Sequence, residues 1–364
     1  MANEQNTLEE NNLSPESFSL ESDPDFEWED LRQEEETEED DDGEGNGPRR
    51  PVNLHFVFIG LIVLILAAAL IRLFIWNKGE KIEVDPNEDT SQFDVETEDY
   101  IMHLDSRYLE GRTDDGMTTI LCLGNEPFAS ERGENGIAGR LEKKLGENAV
   151  VYNAAFENTT LSCKNSAYDE SYSPDAFNLY WLTKTICLQD FTLLDSLIDD
   201  FSAASPNAKE SLDTLKGIDM DTVDVLLIFY DGSDYLNDRI ITSPYDLSDI
   251  ATCSGALGSS LSLLRQTYPH IRIVVLSPTF ACQVDAEGNY LPGSSTNTPY
   301  KNGFLSDYMI AEKAVAVENG VTFIDNYCGT ITEDNYDRYL EDNIHLNDDG
   351  RELLAERIQN VLAQ

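Results

Sequence analysis

Residues 118–126 read TTILCLGNE, and the fold turns on this stretch. An apolar run that ends in a glycine turn reads as a buried strand delivering its turn to a sheet edge, with a helical pattern behind it. In that following pattern Ile137, Leu141 and Leu145 recur every four residues, Arg140, Lys143 and Lys144 fill the last turn, and Gly146 stops it. This spacing predicts an amphipathic helix with its dipole and its terminus in order. Residues 149–156 (AVVYNAAF) then form a second strand, which gives a right-handed βαβ unit. The alternation continues with a helical region over 175–216, strand VDVLLIFY at 223–230, a helix over 247–268 and strand IRIVVLS at 271–277. A helix over 303–319, strand VTFI at 321–324 and a last helix from 348 complete it. Strands that are apolar nearly throughout and alternate with helices specify an α/β fold whose parallel sheet is covered on both faces. Ligands bind such sheets beyond the carboxyl ends of the strands, so Gly124, Asn125 and Glu126 stand in the site position.

The bulk numbers narrow the partners. Seventy acidic residues against 24 Lys and Arg give a formal charge of -46 over 364 residues. Phosphate backbones need a basic surface, so no nucleic acid partner is expected. The six cysteines (Cys122, Cys163, Cys187, Cys253, Cys282 and Cys328) form no CxxC pair and no tight cluster. They read as small buried hydrophobes and not as a metal site or a disulfide framework, and no cofactor is implied.

Before the α/β region the composition changes twice. Residues 1–50 hold an almost unbroken acidic block from Glu34 to Asp42 and few aliphatic side chains, which reads as a disordered, solvated tail. Phe18, Phe26 and Trp28 among those acids make docking to a basic cytoplasmic partner the alternative. Residues 52–71 (VNLHFVFIGLIVLILAAALI) carry no Lys, Arg, Asp or Glu. Twenty such residues in a helix cross a hydrocarbon core, so residues 51–76 are read as a single transmembrane helix, with Trp76 as an interface anchor. Arg49 and Arg50 precede the span while Arg72, Lys78 and Lys81 follow it, a balance that leaves orientation open on charge alone. Residues 77–117 are polar with scattered Tyr and Leu and are read as a stalk with one short docking helix near 100–109.

The chemistry concentrates near the end, in DNIHLNDDG, where Asp342 stands three residues before His345 and a helix starts after Asn347. A carboxylate so placed holds an imidazole in one tautomer and makes it a general base. Four blocks then arrive in order: the strand into Gly124, YNAAFENTT after the second strand, FYDGSDYLN after the third, and DNIHLN. In this order, residues 118–364 resemble the SGNH, or GDSL, hydrolases. The resemblance implies a flavodoxin-like three-layer fold and esterase, lipase or carbohydrate deacylase chemistry. It also implies a nucleophilic serine in the first block, oxyanion-hole Gly and Asn residues in the second and third, and an Asp-His pair in the last.

The last block matches at Asp342 and His345, and the other three depart from the pattern. Glu126 stands at the serine position, Asn158 at the oxyanion glycine, and Ser233 at the oxyanion asparagine, with Asp234 retained after it. Serine forms a hydrolysable acyl ester once His removes its proton, whereas a carboxylate would have to form an anhydride. Ser130, Thr159 and Thr160 are the nearest hydroxyls that could take over. An acidic Glu126 should also hold His345 protonated. The expectation is therefore a membrane-anchored, catalytically degenerate protein that binds a cell-envelope carbohydrate or acylated ligand, with its C-terminal domain outside the cell. The alternative is an active acyl-ester hydrolase using an atypical nucleophile with Asp342 and His345.

Overall fold

Strand β1 (Thr118–Gly124) lies second in a five-stranded parallel sheet of order β2-β1-β3-β4-β7 and is buried at every position after Thr118. The others are β2 (Ala149–Asn153), β3 (Val225–Phe229), β4 (Arg272–Leu276) and β7 (Thr322–Ile324). A two-residue hairpin of β5 (Gln283–Val284) and β6 (Tyr290–Leu291) stands apart from this sheet. The computed structural model describes residues 97–112, 115–294 and 302–364, all within the unit Asn87–Gln364. The acidic tail and the predicted membrane span lie outside the described residues. Among the described residues no helix is long and apolar enough to cross a membrane.

The helices of nine or more residues among the described residues fall in the predicted helical regions. They are α1 (Ile137–Leu145), α2 (Leu179–Leu188), α3 (Thr192–Phe201), α4 (Ala208–Gly217), α5 (Cys253–Thr267), α6 (Leu305–Glu318) and α7 (Asp348–Leu362). Helix α1 packs on α7, while α2 packs on α5 and α5 on α6, which gives two helical layers for the sheet to bury its faces against. Helix α5 begins six residues later than the apolar pattern suggests, because the Thr252 side chain accepts a hydrogen bond from the Gly255 N–H at 3.1 Å and caps it there. Strand β2 ends at Asn153, yet Ala154 and Phe156 still donate to the carbonyls of Cys122 and Gly124. The chain after β2 is thus carried alongside the end of β1.

In the strand order, β1 and β3 are neighbours whose connections leave in opposite directions. Their shared carboxyl end is the crevice where open α/β sheets bind ligands.

Part of the span expected as a stalk is docked on this domain. Tyr100 exchanges backbone hydrogen bonds with Phe323 of β7, an antiparallel bridge on the sheet edge. Asp99 accepts from the Asp325 N–H at 2.8 Å and pairs with Arg357 of α7 at 2.9 Å. The expected docking helix is a single 3-10 turn, Ser106–Leu109. An edge strand with free N–H and C=O groups attracts a partner, and here the preceding chain supplies it.

Candidate active site

Gly124 makes the geometry at the end of β1 attainable. Its φ is +150°, and a Cβ built on it would sit 1.8 Å from the Phe229 carbonyl oxygen on β3. Only glycine lets the two strand ends approach so closely. Asn125 then fastens them. Its side-chain amide donates to Asp231 Oδ1 at 2.8 Å and to the Thr159 carbonyl at 3.1 Å, and its Oδ1 accepts from the Asp231 N–H at 2.9 Å. Fully buried, Asn125 is a brace between the first and third blocks and is not open to a ligand.

Glu126 follows at the head of a single helical turn, Glu126–Ala129. Its Oε1 accepts from the Asn158 backbone N–H at 2.7 Å, while Oε2 is buried without a hydrogen-bond partner. Asn158 adopts a left-handed conformation, φ 59°, which aims its N–H at the carboxylate, and its own side chain turns away to the Ala204 carbonyl. The donor expected from a glycine at this position is therefore present as a backbone group. Asn serves here because it tolerates positive φ better than most residues.

Asp342 and His345 form the expected pair. The imidazole Nδ1 lies 2.5 Å from Asp342 Oδ2, and Asp342 Oδ1 accepts from the backbone N–H groups of Ile344 and His345 at 2.9 and 2.7 Å. The short loop is closed by a bridge between Leu340 and Leu346, and Asn347 caps α7 through the Gly350 N–H. His345 is 38 % exposed in its side chain, open enough to meet a ligand.

The electrostatics of these groups are linked. Burial, and then the Asp231 charge, push Glu126 up to about 7, against the pull of the Asn158 N–H and of His345. Burial likewise raises Asp231, although hydrogen bonds from Ser233 and Asn125 oppose it. Burial lowers His345, but the hydrogen bond and charge of Asp342, with the charges of Asp231 and Glu126, outweigh it and raise the imidazole overall. Burial raises Asp342, and the bonds and charge of His345 turn that into a net lowering. The imidazole thus keeps its proton to higher pH than a free histidine, which leaves less of it neutral and able to act as a base near pH 7.

Of the other expected residues, Ser233 lines the crevice but gives both its N–H and its hydroxyl to Asp231 Oδ1, at 2.9 and 2.5 Å. Asp234 does not reach the crevice with its carboxylate. Buried, it accepts from the Leu161 and Ser162 N–H groups at 2.7 and 3.0 Å and pins the second block to the third. Its expected ligand role is replaced by this internal one, because two backbone donors consume its acceptor oxygens. The three alternative hydroxyls are also engaged. Ser130 donates to the Glu126 carbonyl at 2.7 Å, Thr159 to Phe156 at 2.8 Å and Thr160 to Ser162 at 2.6 Å.

Glu126, Asn158 and Ser233 share a cavity of about 240 Å³ with Thr160, Asn237 and Arg239, its lining mostly polar. Neither Arg239 nor Asp231 is marked as a site residue by the sequence. Arg239 lies on the loop beyond the third block with no local pattern to mark it, whereas Asp231 was visible at the strand end but reads equally as a turn former.

No family model matches the chain, and no curated protein matches it. Solved structures do. Est24, a carbohydrate acetylesterase from Sinorhizobium meliloti, is similar at 15 % identity over 68 % of this chain and 98 % of its own, with a TM-score of 0.41. A Bacteroides ovatus protein described as a GDSL-like lipase is similar at 12 % identity over 68 % and 98 %, TM-score 0.37. The aryl esterase of M. smegmatis is similar at 17 % identity over 67 % and 99 %, TM-score 0.37. These are the kinds of protein that the four blocks resemble. At such identities the likeness concerns the fold alone.

Proposed function

We propose that the chain is a membrane-anchored, catalytically degenerate relative of the SGNH hydrolases that binds a cell-envelope glycan, or an acyl ester carried on it, without hydrolysing it. One observation carries this reading: the carboxylate of Glu126, at the nucleophile position, accepts the Asn158 backbone N–H that an acyl oxyanion would need. A donor already engaged by a side-chain oxygen is not free to stabilise an oxyanion, and losing one such donor typically slows acyl transfer about 100- to 1000-fold. The engaged hydroxyls of Ser130, Thr159 and Thr160 support it further, since none stands ready to replace serine.

The ligand class follows from the cavity. Hydroxyl, amide and guanidinium groups in about 240 Å³ suit a compact polar group such as one acylated sugar unit, and not a long acyl chain. The anchor is supported by the uncharged run at 52–71, while the outward placement is part of the proposal that the charges at Arg49, Arg50, Arg72, Lys78 and Lys81 leave open.

A second reading is favoured by the intact Asp342 and His345 pair: an acyl-ester hydrolase that uses a carboxylate. Titration calorimetry separates the two. The full-length protein should bind an O-acetylated oligosaccharide more tightly than its deacetylated form, with the acetyl group still present afterwards by mass spectrometry. Equal affinity for both forms would remove the acyl-binding reading, and deacetylated product would favour the enzyme.

A further inference from the structure

At the end of the sheet opposite His345, where β4 and β7 begin, a cavity of about 290 Å³ is lined by His103, Arg107, Tyr108, Arg265, Arg272 and Thr322 among others. Several basic groups elsewhere on the domain hold carboxylates, as Arg140 does with Glu352, Lys216 with Asp195, Lys313 with Glu98 and Arg357 with Asp99. Arg272 does not. Its Nε is buried without a partner, and its terminal nitrogen reaches only the Val361 carbonyl at 3.5 Å, the outer limit of a hydrogen bond. Burial draws its pKa down, with no carboxylate opposing the change. Arg265, in the last turn of α5, is exposed and makes no ion pair among the described residues, and His103 is likewise free. Arg107 is shared with Asp105 at 2.6 Å.

Two guanidiniums of this cavity hold no carboxylate among the described residues, since its acidic lining residue, Asp105, is paired with Arg107. A half-buried cation without a counter-charge is destabilising, and a ligand that supplies the charge removes the penalty. The planar forks of Arg match phosphate oxygens two at a time, and two of them from separate elements suit a dianion better than a single carboxylate. We propose that this cavity is an anion site whose ligand carries a phosphate group, gripped by Arg272 and Arg265 with His103 and Arg107 beside them. The phosphate comes either free, as a small phosphomonoester, or as the headgroup of an anionic lipid.

The full-length protein in neutral detergent, titrated calorimetrically with inorganic phosphate, should bind it, and binding should weaken as sodium chloride is raised. Arg265→Ser and Arg272→Met should each weaken it by about tenfold or more, as expected for losing a charge-assisted contact. Lys209→Ser, at the exposed pair with Asp199, should leave it unchanged. If Arg272→Met fails to fold by circular dichroism, the exposed Arg265→Ser decides. A second titration with short-chain phosphatidic acid identifies the source: tighter binding than inorganic phosphate assigns the headgroup, and equal or weaker binding assigns the free ligand. No phosphate binding, or binding equal in all variants, overturns the proposal.

Discussion

Glu126 is a carboxyl group pulled two ways. Burial and Asp231 disfavour its charge, whereas the Asn158 N–H and His345 favour it, and the first pair prevails to leave it at about 7. Its ordinary value is 4.5, so the folded chain binds that proton more tightly than the unfolded one. The stability this confers is fully present below about pH 4.5 and is lost as pH rises through 7. Glu126→Gln keeps an acceptor for Asn158 and removes the charge. It should therefore stabilise the protein by on the order of 2 kcal/mol at pH 8 and change nothing near pH 4. Urea unfolding at the two pH values checks this, and a difference that does not vary with pH would contradict the buried-charge account.

Among the elements, the arm at 97–105 contributes more than its polar composition suggests. Asp99 joins the arm to Asp325 after β7 and to Arg357 on α7, both pairings being partly buried. Asp99→Ala should cost about 1 to 3 kcal/mol in chemical denaturation, since it strips a backbone donor and a guanidinium of their acceptor. A loss below a few tenths of a kcal/mol would mean that the arm is a loose spacer. The arm was hard to read because an edge-pairing strand of one bridge leaves no periodic signal, whereas β1 and β3 announce themselves as apolar runs buried on both faces. The same contrast governs the site. Asp342 and His345 were legible because three-residue spacing alone brings their side chains together. What Asn125, Asn158 and Asp234 do depends on contacts across 30 to 110 positions of sequence, with Asn125 meeting Asp231 at a separation of 106 and Asp234 meeting Leu161 at 73. No local pattern reports whether such a side chain faces a ligand or a backbone amide.

For the whole molecule, the proposal places an acidic tail inside the cell and an α/β domain outside, joined through residues 52–71. Protease added to intact cells should then remove the C-terminal domain while an epitope tag at the N-terminus stays protected. Loss of the first fifty residues alone would reverse the orientation and put the free thiols of Cys187 and Cys328 in the cytosol. Glu126 holds the Asn158 N–H with its carboxyl group, and the proposed loss of hydrolysis rests on that contact. The most direct measurement is hydrolysis of a small acetyl ester by the full-length protein, compared with its His345→Ala and Glu126→Gln variants. The account predicts no turnover above the buffer and imidazole background, and rates that either substitution changes by less than about twofold, where loss of a working general base would cost about 100-fold or more. Robust turnover by the wild type that disappears in either variant would contradict it and establish an enzyme.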